Sequence, residues 1–209
     1  MKARDIIITA RVLSMIFTPF YLPLVGILVL FMLTYLNMLP LAYKLLVLLL
    51  VYFFTILLPT LLIHYYRKYQ GWTSRELGIK DRRAIPYIIS IICYFLCYYV
   101  MIVFHIPTFM AEIVVAALFI QIACAIVNMW WKISTHAAAI GGLGGGVLGL
   151  SFLFNFNPTG WLCVIFLLGG LVGSSRMVLR QHSLGEVTGG FALGFFVSFV
   201  TFILPPMFV

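Results

Sequence analysis

Apolar stretches of about 20 residues recur along nearly the whole chain, and no other feature limits the fold as severely. A segment of that length has no water to pair its backbone once it lies in lipid, so each is expected to be a helix. The composition agrees: 64% of the 209 residues are hydrophobic and 9% charged, with a mean hydropathy of +1.17. A water-soluble domain carries roughly 25% charged residues. Most cytosolic enzymes and all disordered or disulfide-framework classes are therefore excluded, and the expected fold class is all-α, a polytopic transmembrane helical bundle of six to seven spans.

The pattern places an interfacial helix over residues 6–20, interrupted by Pro19 and Pro23, before a first span at 24–36. Further spans are expected at 41–64, 87–104, 109–131, 134–154, 161–174 and 187–204. Pro86 fits the start of the third, where a helix has no amide bond to lose. Residues 1–11 carry charge without a small-residue cleavage site after a short apolar core, so no removable signal peptide is expected. The four cysteines, Cys93, Cys97, Cys124 and Cys163, fall inside apolar runs without ligand spacing, and are read as packing residues.

Thirteen Lys and Arg against five Asp and Glu give a formal charge of +8. In so apolar a chain these charges belong in loops or in a buried polar site. No soluble basic domain exists to hold nucleic acid, so the expected partners are the bilayer and anionic lipid headgroups. Alternating spans put the N-terminus, the 65–83 loop, the 132–136 junction and the 175–186 segment on one face. That face holds every Lys and Arg except Lys44. The positive-inside rule makes it the cytoplasmic one, in an integral, multi-pass protein expected in a bacterial inner membrane.

Two junctions on that face concentrate the polar residues: Lys132, Ser134, Thr135 and His136 at one helix start, Ser175, Arg176, His182 and Glu186 at the other. The spacing of four between His182 and Glu186 places carboxylate and imidazole one turn apart on one helix face. A carboxylate there can hold one ring nitrogen protonated and leave the other as acceptor or nucleophile. The Arg176 guanidinium is a planar fork suited to phosphate oxygens.

Ser175-Arg176-x5-His182-x3-Glu186 resembles the third signature of the type 2 phosphatidic acid phosphatase (PAP2) superfamily, with Glu in place of Asp. Ile133-Ser134-Thr135-His136 is similar to its second signature, Pro-Ser-Gly-His, with Ser and His retained. For the first signature, Lys68-x6-Arg75 has the literal spacing but Glu76 follows it. Lys80, Arg82 and Arg83, just before Pro86, are the preferred cations. The resemblance covers roughly residues 80–195, and divides the chain into 1–79, with the interfacial helix, two spans and basic loop, and 80–209, a PAP2-like catalytic core.

The resemblance implies a lipid phosphate phosphatase that needs no metal or other cofactor. His182 would form a phosphohistidine, Glu186 would orient its ring, and His136 would protonate the leaving oxygen and then activate water. Arg176, Lys80, Arg82, Arg83, Lys132, Ser134, Thr135 and Ser175 would hold phosphate. Two other readings stay open: a phosphotransferase that delivers the group from the same histidine to a hydroxyl, and a non-catalytic member that binds lipid phosphate.

The segment Gly141 to Gly146 lacks the Lys-Ser/Thr of a phosphate loop and lies in an apolar span, so close helix packing is expected there. Gly189, Gly190 and Gly194 read likewise, and Trp130, Trp131 and Trp161 as an aromatic belt.

Overall fold

A computed structural model of the chain describes residues 3–33, 35–71 and 84–204. These residues form helices α1 (Ala3–Ile16), α2 (Leu22–Leu33), α3 (Leu41–Tyr52), α4 (Leu58–Tyr69), α5 (Ala84–Val103), α6 (Thr108–Val127), α7 (Thr135–Phe154), α8 (Thr159–Val178) and α9 (Leu184–Ile203). Seven stretches among them are long and apolar enough to cross a membrane: Asp5–Met32, Leu41–Tyr69 and each helix from α5 to α9. The protein is an all-helical, multi-pass membrane protein.

Two spans are not simple helices, for identifiable reasons. Between α1 and α2 the chain makes a 3₁₀ turn at Pro19–Tyr21, because Pro19 and Pro23 cannot donate to the ladder. Between α3 and α4 a π-helical turn spans Phe53–Leu57, and the Leu58 amide bonds the Phe53 carbonyl instead of the one four residues back. Pro59 follows directly and has no amide, and a slipped ladder is how a helix absorbs that loss. The span runs on to Tyr69, five residues beyond the expected end at His64. Arg67 and Lys68 close its last turn, where cations suit the negative helix end.

The bundle centres on α6 and α7. Their apolar stretches are 61% and 72% buried, against 22–28% for the other five spans. Ile27 and Leu30 of α2, Val47 and Val51 of α3, Tyr94 and Met101 of α5, and Met110 and Val114 of α6 share one core cluster.

Helices α7 and α9 approach most closely. A Cβ on Gly141 or Gly145 would run into the backbone carbonyl of Phe191 or Phe195, and one on Gly194 into that of Ala138. Each helix thus presents two glycines a turn apart, Gly141 and Gly145 facing Gly190 and Gly194, so the backbones meet without side chains between them. The glycines pack helices, as the sequence implies, and they bring the starts of α7 and α9 together at one end of the bundle.

Candidate functional site

The start of α7 follows from Ser134. Its Oγ accepts from the Ala137 amide at 3.4 Å, the N-cap arrangement that satisfies a free helix-end donor. His136 lies in the first turn that this cap organises.

The x5 spacing of the second junction is two helix ends back to back. Arg176 sits in the last turn of α8, and its carbonyl accepts from the Gln181 amide at 3.1 Å while the Arg180 amide bonds Met177 at 2.9 Å. That pair of bonds is a Schellman ending, and it requires Arg180 in the left-handed region, φ 51°. Ser183 then caps α9: its Oγ accepts from the Glu186 amide at 3.3 Å, and Glu186 Oε2 accepts from the Ser183 amide at 3.3 Å. The same Oε2 lies 2.8 Å from His182 Nδ1. The Glu side chain, one methylene longer than Asp, thereby serves cap and imidazole at once.

Backbone and side-chain bonds tie the junctions together. The Ser134 amide bonds the Glu186 carbonyl at 3.1 Å, and Lys132 Nζ donates to the Gln181 carbonyl at 2.5 Å. A Cβ at Gly190 would lie 2.5 Å from the Ser134 carbonyl oxygen, so only glycine admits this approach. The charges of Arg176 and His182 both reach His136, and those of Arg176, Lys132 and Glu186 reach His182.

An ionised carboxylate only accepts, so its bond fixes the proton of a neutral His182 on Nδ1 and leaves Nε2 with a free lone pair. Burial, assisted by the cations Arg176 and Lys132, pushes the His182 pKa below its ordinary 6.5, against the opposing pull of Glu186. The ring is therefore neutral near pH 7. Arg176 Nη1 donates to Ser14 Oγ at 2.5 Å, while its Nε is buried without a partner. His136 Nδ1 is likewise buried and unpartnered, and the Ser14 backbone lies beside its ring. Two orphaned polar atoms on neighbouring residues mark a place where a polar ligand has something to bind.

Not every expected phosphate ligand is free for that task. Ser175 is buried and its hydroxyl donates to its own helix at Val172, 2.7 Å away. Thr135 opens α7 and is half-buried. Lys80, Arg82 and Arg83, together with Arg75, lie outside the described residues. Among the described residues no three His, Cys, Asp or Glu side chains gather as metal ligands.

Ser14 is the participant that sequence reasoning missed. It lies on α1, which packs along α8, and is 162 positions from its partner Arg176, with no local motif to announce it. Ser183 was missed as well, although Ser-x-x-Glu before an apolar run is the capping-box signal that could have found it. No family model, curated protein or solved structure matches the chain.

Proposed function

We propose that the protein is a membrane lipid phosphate phosphatase of the PAP2 type, working through a phosphohistidine on His182. The observation that carries this reading is the His182–Glu186 pair at 2.8 Å, in which a neutral imidazole keeps one nitrogen free beside Arg176 and His136. Nε2 of His182 attacks phosphorus, forming the P–N bond as the bond to the leaving lipid oxygen breaks. His136, protonated beside the bound phosphate dianion, supplies the proton that oxygen needs and becomes neutral. The imidazole gains positive charge in this step, which the Glu186 carboxylate stabilises. Water, deprotonated by His136, then breaks the P–N bond and releases phosphate. Arg176 meets the oxygens on which transition-state charge accumulates, in a site partly shielded from water.

A lipid substrate follows from the setting: the site lies at the end of a bundle whose outer surface is apolar, and an amphiphile can present its head there while its chains stay in the bilayer. The test is chemical trapping. Rapid quenching with a labelled lipid phosphate is expected to leave acid-labile, base-stable phosphate on His182. Label on another residue, or no covalent label under turnover, would contradict the mechanism.

A further inference from the structure

A cavity of about 500 Å³ lies between α5, α6 and α9, and it follows α6 from the end of the bundle away from His182. Its wall is almost wholly apolar, with Ile102, Phe119 and Val200 from the three helices. Lining positions on α6 run from Thr108 to Ile126, and 18 residues of helix rise roughly 27 Å, close to the thickness of a bilayer's hydrocarbon core. The groove is long enough to lay an extended acyl chain along α6.

Glu112 faces this groove one turn inside the start of α6. Among the described residues it has no hydrogen bond or ion pair. The one described cation at that end, Lys44, donates to both the Asn37 carbonyl, at 2.6 Å, and Asn37 Oδ1, at 3.2 Å. An intramembrane carboxylate without a protein counter-charge is costly and marks a functional position. A ligand that supplies a positive donor at Glu112 and fills the wall below it satisfies both features together.

We propose that this groove is a binding site for a bilayer lipid with a primary ammonium headgroup, the ammonium paired with Glu112 and an acyl chain along α6. The site is separate from the His182 junction, and it stands or falls independently of the phosphatase reading. Charge and hydrogen bonding decide the occupant: a headgroup with no cation meets repulsion at Glu112 or leaves the carboxylate unpaired, and a primary ammonium, unlike a quaternary one, has N–H donors for it.

Native mass spectrometry of the full purified chain, equilibrated with phosphatidylethanolamine and phosphatidylglycerol of identical acyl chains, tests the proposal. The native chain is expected to retain phosphatidylethanolamine about tenfold more than phosphatidylglycerol, a difference of about 1.4 kcal/mol. Glu112→Gln, which keeps shape and removes charge, is expected to bring the ratio close to one. Ala123→Trp, which fills the groove from its wall, is expected to lower retention of both lipids. Equal retention by the native chain, or an unchanged preference in Glu112→Gln, would overturn the assignment. So would full retention in a folded Ala123→Trp variant, because the chain would then lie elsewhere.

Discussion

Burial and two nearby cations hold the His182 ring neutral, and that sets how the protein responds to acid. The folded state binds a proton at His182 less readily than the unfolded chain, so stability falls as pH drops below the ordinary value of 6.5. With His182 as the proposed nucleophile, the same shift is expected to carry the acid limb of kcat/KM below that value. Lys132 contributes to the shift, so Lys132→Met is expected to move the acid limb upward, toward 6.5, in a pH–rate profile. An unmoved acid limb would show that the cation does not act on this ring. Ser14→Ala removes the acceptor of Arg176 and leaves a guanidinium N–H unmatched in a partly buried position. A loss of about tenfold in kcat/KM is expected, with partial recovery in Ser14→Thr, since a bond to a charged group contributes about 1.5–3 kcal/mol. Unchanged kinetics in Ser14→Ala would detach α1 from the site.

At the scale of the element, the x5 gap between Arg176 and His182 shows what sequence does and does not disclose. The hydrophobic periods mark where helices run, and Ser183-x-x-Glu186 marks where α9 begins. The end of α8 carries no such mark. A left-handed residue after a helix is usually glycine, but here Arg180 takes that conformation, as His105 does after α5. The π turn before Pro59 is equally silent, because it depends on how a membrane helix absorbs a proline and not on residue pattern. The glycines of α7 and α9, by contrast, could be read as packing residues from their place in apolar spans, and the structure adds which backbone each one meets. Gly194→Ala is therefore expected to cost about 1–3 kcal/mol in thermal unfolding in detergent, since overpacking against the Ala138 carbonyl forces the helices apart. Gly170→Ala, on α8 with nothing within 4 Å of the added methyl, is expected to cost nothing. Equal effects of the two would mean that close approach is not what stabilises the pair.

Across the whole molecule, alternation of seven spans follows from hydropathy, and with it the division of loops between two faces. What alternation cannot disclose is which distant segments converge laterally. The contact of α1 with α8, and so the entry of Ser14 into the site, depends on packing between surfaces far apart in the chain. The basic segment that the resemblance offers for the first signature lies outside the described residues; among the described residues, Arg176 and Lys132 are the cations whose charge acts on His182. The face assignment has a direct check in a background with the exposed Cys163 replaced by alanine. A cysteine at Tyr69, an exposed position, is expected to resist an impermeant thiol reagent in intact cells, while one at the exposed Met38 reacts. The reverse pattern would place the His182 junction outside the cell.

The central claim is that the His182 junction hydrolyses lipid phosphate, and phosphate release from a panel of lipid phosphates in detergent, with excess chelator, tests it most directly. The native chain is expected to release phosphate from at least one lipid, with turnover in His182→Ala lower by at least about a thousandfold. Release that survives His182→Ala, or no release from any lipid by a folded native chain, would contradict the account.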